Sequence, residues 1–354
     1  MKRMYGLIVI LVAFLTIAFF GENKQKEENN KIPRVGVLTL MRHPALDEIY
    51  RGFRDELKEE GYVNGKNIKI DYQNANNDQS NLRTMATKLT DEQSRVLVGI
   101  TTPAAQALAN TTNKIPIVLG AVTSPKTSGL VKNERHPEKN ITGVSDAAPI
   151  KQQLDLIREF LPNLKTLGVI YTSSDSSAVS GFHEIERECK KRKISLKSFS
   201  IANSNDLNQV SEQMFSQVDA VIVPTDNTIA GAMETLVKNG NAAKKPIFPA
   251  AATMVKQGGL ATYSVNQYEL GKMTGKITIE ILKGKKVSSL PIERVRKGEP
   301  VVNLKEAREL NLQVPQRFLE ECQKKELYID ELDRICYWPG FAMGFAWLRI
   351  IFDI

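Results

Sequence analysis

From Ile32 onward the chain alternates two different hydrophobic periods. A short run of apolar, often β-branched residues is followed by a longer run with apolar residues at three- and four-residue spacing, and the pair then repeats. RVGVLTL (34–40) is the first short run. ALDEIYRGFRDELKEEGY (45–62) then sets Leu46, Ile49, Tyr50, Phe53 and Leu57 at helical spacing before Gly61 stops the helix. NIKIDYQ (67–73), NLRTMATKLTDE (81–92), RVLVGIT (95–101), PAAQALANTT (103–112) and IPIVLGAV (115–122) continue the series. The first part therefore reads β-α-β-α-β-α-β, the pattern of a parallel sheet with helical crossovers.

A looser stretch, TSPKTSGLVKNERHPEKN, interrupts the pattern and reads as a long loop near a domain junction. After ITGVSD the alternation restarts: QQLDLIREFLP helical, KTLGVIYT (165–172) extended, SGFHEIERECKKRK helical, ISLKSFSI extended and DLNQVSEQMFSQ helical. DAVIVPT (219–225), TIAGAMETLVKNG, PIFPAA, GGLATYSV (258–265) and YELGKMTGKITIEILKG (268–284) complete the second set. A chain of 354 residues with 42% hydrophobic content is long enough and apolar enough for two cores. The expected class is α/β, with two doubly wound parallel-sheet lobes.

Ligands in such sheets bind beyond the carboxyl ends of the strands. In this chain almost every strand ends in small polar residues. RVGVLTL ends at Thr39, with His43 soon after; RVLVGI leads to Thr101 and Thr102; IVLGAV to Thr123 and Ser124; ITGV to Ser145 and Asp146. KTLGVIY runs into TSSDSS, DAVIVP into Thr225, Asp226 and Asn227, and GLATY into Ser264. Hydroxyls in these places cap helices. Their recurrence in both lobes also describes a cleft lined by hydroxyls, helix N-termini and a carboxylate. Helix N-termini suit an anionic group and Asp226 suits an ammonium, so the combination fits an amino-acid zwitterion.

The ordered set VGVLTLMRHPALDEIYRGFRDELKEEGYVNGKNIKIDYQNANND, TTPAAQALAN, AVTSPKTSGLV, NITGVSD, GVIYTSSDSSAV, AVIVPTDNTIAGAMETL and MVKQGGLATYSVNQYELGKMTGKI resembles ABC-transporter substrate-binding proteins of the tryptophan and aromatic-amino-acid type. The resemblance covers roughly residues 33–316. It implies a type I periplasmic-binding-protein fold whose lobes close about a hinge on a small amino-acid ligand, and a closed form that docks on an ABC permease with its ATPase. It implies one lobe from 33–146 with 267–289 and another from 147–266 with 290–316. Carried over by motif, the first lobe offers Thr39, His43, Pro44, Thr102, Pro103 and Thr123 to the ligand. Ser145 and Asp146 stand near the crossover, and the other lobe offers Tyr171, Thr172, Ser173, Ser176, Ser177, Asp226, Asn227 and Ser264. In this reading Asp226 meets the ammonium, Thr102 and the Ser173–Ser177 loop hold the carboxylate, and His43, Pro44 and Tyr171 wall the side chain. The chain departs from the family pattern at Ala250–Ala252 and at Asn266–Gln267. A monomer is expected, with no cofactor or metal. A receptor of the same fold reporting to a membrane sensor is the alternative within this fold.

The ends are read separately. Lys2 and Arg3 precede an uncharged run from Met4 to Gly21, the pattern of an export signal (1–21) that places the rest outside the cytoplasm; an uncleaved membrane anchor is expected ahead of a cleaved signal, which would leave the protein secreted. Residues 22–32 read as a polar tether. Residues 317–354 read as an atypical tail without a receptor role. Cys189, Cys322 and Cys336 have neither metal nor disulfide-framework spacing. The net charge of +8 is spread along helical runs, with no nucleic-acid-binding motif beside it. No phosphate-binding glycine loop or nucleophile elbow is present, and nothing calls for catalysis by His43, His136 or His183.

Overall fold

The computed structural model describes residues 32–137, 139–295 and 297–330. The expected anchor at 1–21, nearly all of the tether and the tail from 331 onward lie outside the described residues.

The first lobe opens with β1 (Arg34–Thr39), α1 (Pro44–Glu59), β2 (Lys69–Asn74), α2 (Gln79–Asp91), β3 (Val96–Ile100), α3 (Thr102–Thr111), β4 (Ile117–Gly120) and β5 (Ile141–Ser145). These strands pair in the order β2-β1-β3-β4-β5, all parallel. Side chains alternate across the sheet. Val35, Val37, Val96 and Val98 pack under Leu46, Ile49 and Phe53 of α1, while Leu38, Leu97 and Leu119 pack under Leu82, Leu89 and Leu108 of α2 and α3 on the other face.

The second lobe follows with α4 (Ile150–Phe160), β6 (Thr166–Thr172), α5 (Ser176–Arg192), β7 (Ser195–Ile201), α6 (Leu207–Phe215), β8 (Ala220–Val223), α7 (Asn227–Gly231), α8 (Met233–Ala243), β9 (Ile247–Pro249), α9 (Ala252–Lys256) and β10 (Ala261–Ser264). The order β7-β6-β8-β9 is again parallel. The single helix expected over TIAGAMETLVKNG is two helices, broken at Ala232 (φ −123°, ψ 23°).

The chain then returns to the first lobe as α10 (Gln267–Leu282) and β11 (Glu293–Arg294), which extends the first sheet beyond β5. Residues 290–294, expected with the second lobe, thus add a strand to the first; two residues are too few to show a period. β12 (Glu299–Asn303) crosses back and pairs antiparallel with β10. α11 (Leu304–Glu309), α12 (Gln316–Lys324) and β13 (Tyr328–Ile329) finish the second lobe, with β13 parallel to β12. The tail assignment is corrected here as far as residue 330. Phe318 and Cys322, four apart on one face of α12, are buried in the same core as Phe160 and Phe248. The backbone therefore passes between the lobes three times, after β5, after β10 and after β11.

Cys189 and Cys322 are buried and have no disulfide partner among the described residues, and burial pushes their thiols up to about 11 and about 12. No helix among the described residues is long and apolar enough to cross a membrane.

The return of α10 depends on glycine. A Cβ on Gly271 would stand 2.0 Å from the Ile49 carbonyl oxygen, and one on Gly52 would stand 2.1 Å from that of Tyr268. The two helices meet backbone to backbone, with no space for a methyl. Gly271→Ala is expected to force them apart and cost at least about 2 kcal/mol, beyond the small gain in helix propensity. Equilibrium urea unfolding of variant and wild type checks this; an unchanged or raised stability would refute the close approach.

Candidate functional site

The strand order places the reversal between β1 and β3, and the carboxyl ends of both sheets face a common cleft. From the first lobe come the loop after β1 with His43, the N-terminus of α3 with Thr102, and Thr123 after β4. Asp146 follows β5 at the crossover. From the second lobe come the N-termini of α5 and α7.

The backbone is strained on the first-lobe side. Thr101 has φ 95° and ψ 156°, and Ala121 has φ 67°. Thr101 lies in a region that β-branched residues rarely enter, at a cost of about 1–3 kcal/mol. Its hydroxyl accepts a long hydrogen bond from Ala104 N–H, 3.5 Å, at the start of α3. Beside it, Thr102 is buried and its Oγ1 has no hydrogen-bond partner among the described residues.

Three carboxylates share the interior of the cleft. Asp226 caps α7: Oδ1 accepts from Ile229 N–H (2.9 Å) and Thr172 Oγ1 (3.0 Å), and Oδ2 accepts from Thr172 N–H (2.6 Å). A carboxylate accepts about four hydrogen bonds, so one acceptor position on Oδ2 stays open. Asp146 accepts from Thr123 Oγ1 at 2.9 Å. Asp175 caps α5, accepting from Ser177 N–H and Oγ, and its Oδ2 accepts from Asn227 Nδ2 at 3.0 Å. Asn227 Oδ1 then accepts from His43 Nε2–H across the cleft, 3.2 Å. Burial lowers the His43 pKa, so this ring is neutral at physiological pH. Burial, with the Asp175 charge nearby, pushes both Asp146 and Asp226 up to about 6.

The other sequence-predicted residues divide. Ser176 Oγ reaches Gln106 Oε1 of the opposite lobe at 3.4 Å. Ser173 Oγ donates to Ile201 O, Ser145 Oγ to Thr123 O and Ser264 Oγ to Val265 O, all at loop turns. Thr39 Oγ1 donates to Met41 O. Pro44 is an exposed first residue of α1, whereas Pro103 is buried and lines the outer groove. Tyr171 is not brought to the cleft: its ring stacks on Phe182 at 4.5 Å, beside the second-lobe core. Asp175 was not among the expected ligand residues, although an acid two residues before a serine in a strand-to-helix loop is a capping signal.

Three cavities lie along the cleft. The innermost, about 40 Å³, has His43, Asp146, Asp226 and Asn227 on one side and Leu46, Ile49, Met254 and Val265 on the other. The next, about 360 Å³, adjoins Thr102 and the Ser173–Ser177 loop. It shares Ser128, Ser174 and Ser176 with an open groove of about 860 Å³ between α2, α3 and the second lobe. The lobes touch at Ser124 and Ser180 (Oγ to Oγ 2.8 Å), and a Cβ on Gly231 would stand 2.7 Å from Met41 Cε. Among the described residues no group of three or more His, Cys, Asp or Glu side chains is placed to hold a metal ion.

The carboxylates give a pH signature. Asp146 and Asp226, raised from 3.8 to about 6, hold protons more tightly in the folded chain than in the unfolded one. Their effect therefore turns against folding as pH rises from about 4 through 6, reaching about 3 kcal/mol each at neutral pH. Asp146→Asn, which keeps an acceptor for Thr123, is expected to be more stable than wild type near pH 7.5, with the advantage falling to about a third by about pH 4.5. Urea unfolding at both pH values tests this, and a variant weaker at the higher pH would overturn it.

Comparison with known proteins adds four findings. A family model described as ABC transporter substrate binding protein matches residues 34–326. A tyrosine-binding protein of Clostridioides difficile is 34% identical over 293 residues, which is 83% of this chain and 85% of that protein. The crystal structure of an ABC domain in complex with L-Trp from Streptococcus pneumoniae is 40% identical, with a TM-score of 0.80 over 82% of this chain and 98% of that one. The ligand-free, open structure of a substrate-binding protein with adhesive properties from Clostridium difficile is 33% identical, with a TM-score of 0.64 over 80% of this chain and 97% of that one.

Proposed function

The chain belongs to the ABC transporter substrate-binding protein family, and from that premise we propose that it captures a free amino acid with an aromatic side chain, closes its lobes on it and delivers it to an ABC permease. Proteins of this family are receptors and not enzymes.

The observation that carries the ligand class is the pairing of charge types inside one cleft. Two deeply buried carboxylates with acceptor positions to spare, Asp146 and Asp226, favour a cation. Thr102, buried at the N-terminus of α3 with its hydroxyl unpartnered among the described residues, favours an anion. An amino acid carries both groups. We assign the ammonium to Asp226 with Asp146, and the carboxylate to Thr102 and the Ser173–Ser177 loop. The side chain then lies against Leu46, Ile49, Ala230, Ala250, Met254 and Val265, all lining the innermost cavity. Small residues at Ala230 and Ala250 leave room for a ring once the lobes part. Relatives support the aromatic choice, one by its L-Trp complex and one by its name as a tyrosine-binding protein.

The innermost cavity, about 40 Å³, is roughly the space of one water at about 30 Å³. An aromatic amino acid enters only with the lobes apart, so capture precedes closure. His43–Asn227, Ser124–Ser180 and Met41–Gly231 are then contacts of the closed form. We further propose that the protein works outside the cytoplasm as a monomer, held at the membrane by residues 1–21, with the permease and its ATPase as partners.

Thermal unfolding of the full chain with each amino acid in turn tests this reading. A ligand at about 1,000 times its dissociation constant adds about 4 kcal/mol, a rise on the order of several degrees. The rise is expected with L-tyrosine, L-tryptophan or L-phenylalanine; no rise with any amino acid would sink the proposal. The ammonium role makes a separate prediction. An ammonium is held by ionised carboxylates, so affinity should fall as pH drops below about 6 and protons occupy Asp146 and Asp226. Asp226→Asn should bind at least about tenfold more weakly at neutral pH. Calorimetric titration across pH checks both, and a flat profile would remove the carboxylates from the site.

A further inference from the structure

The inner and outer parts of the cleft differ in size and in chemistry. The innermost cavity is about 40 Å³ and mostly apolar, with Asp146 and Asp226 in its lining. The outer compartment is about 360 Å³, and nine of its eleven lining residues are serine or threonine. Its only titratable residue is His183, whose side chain is 60% exposed and sits 3.6 Å from Glu186. The wall between the compartments is the bonded chain His43–Asn227–Asp175–Ser177. Thr102 lines the compartment, and its Oγ1, buried just behind that lining, lacks a partner among the described residues.

A carboxylate at Thr102 does not need this space. Its two oxygens take up about as much room as two waters, on the order of 60 Å³. The compartment is several times larger and opens through Ser128, Ser174 and Ser176 into the groove of about 860 Å³. The carboxyl end of the ligand therefore points towards room, not towards a wall. The lining there carries no acid or strong base and consists of small side chains whose serine hydroxyls are mostly bonded within the protein, which suits a small neutral residue better than a charged side chain. The ammonium end, by contrast, meets buried acids and has no such room.

We infer that the cleft accepts ligands extended at the carboxyl end, namely amino-acid amides and short peptides with an aromatic first residue, as well as the free amino acid. This inference rests on the placement of ammonium and carboxylate proposed above. The first peptide carbonyl takes the Thr102 hydroxyl, and the second residue lies among the serines and threonines of the outer compartment. A blocked amino group has no place beside Asp226.

Calorimetric titration of the full chain with L-tyrosine, L-tyrosinamide, L-tyrosyl-glycine and N-acetyl-L-tyrosine, and with the matching tryptophan series, decides it. The amide and the dipeptide are expected within about tenfold of the free amino acid, and the acetylated form at least about a hundredfold weaker. Thr127→Trp places a large ring in the outer compartment from an exposed position. It should weaken the dipeptide at least about tenfold and leave the free amino acid unchanged. Free amino acid bound, with amide and dipeptide lost a hundredfold, overturns this inference and leaves the receptor reading intact. Dipeptide bound without the free amino acid supports it and overturns the free-amino-acid reading. No binding in either series overturns both.

Discussion

Two helices that meet without side chains between them set the layout of this molecule. Gly52 in α1 and Gly271 in α10 remove the Cβ atoms where each helix would strike the other's carbonyls, with Gly275 one turn on facing Glu56. That contact draws a segment from after the second lobe back onto the first sheet, where Ile277 and Ile281 join the core around Phe53. Once α10 is docked there, the first lobe is made from two distant parts of the chain. The backbone must then cross between lobes repeatedly, and the crossings leave the two sets of strand ends facing each other. The cleft follows from this topology.

Within the cleft the governing cost is electrostatic. Asp146, Asp175 and Asp226 are buried close enough together for their charges to be felt by one another. Asp175 and Asp226 are tied down by backbone N–H groups and neighbouring side chains, which offset part of the desolvation. The remainder is a standing penalty, which the ligand ammonium proposed above would relieve. The strain at Thr101 acts in the same direction, spending folding stability to hold the start of α3 at the cleft.

Most of the fold was legible in the sequence because hydrophobic period reports element type directly. RVGVLT and PALDEIYRGFRDELKE read correctly for that reason. Strand direction is not encoded in the period, so GGLATYSV looked like another parallel strand although β10 pairs antiparallel with β12. The break at Ala232 was invisible too, since both halves of TIAGAMETLVKNG are helical in composition. In the tail, Phe318 and Cys322 are two apolar positions on one short helix, too few to show a period, and the family resemblance as read from the sequence ends near residue 316. The cleft was legible from the hydroxyls at the strand ends. Their individual roles were not, because a serine at a helix start caps, turns the chain or faces a ligand with the same composition. Tyr171 shows the limit: only the fold turns its ring onto Phe182.

The thiols of the second lobe have a chemical consequence for a protein proposed to fold and work where disulfides form. Thiol–disulfide exchange requires thiolate. Cys189 and Cys322 are enclosed by hydrocarbon, with their ionisation pushed to about 11 and about 12. Neither supplies an attacking sulfur at neutral pH, so the folded lobe is chemically silent towards the oxidants of that compartment. Their window of reactivity is confined to the time before the core closes. The speed with which α12 docks thus sets the exposure of Cys322 to mispairing.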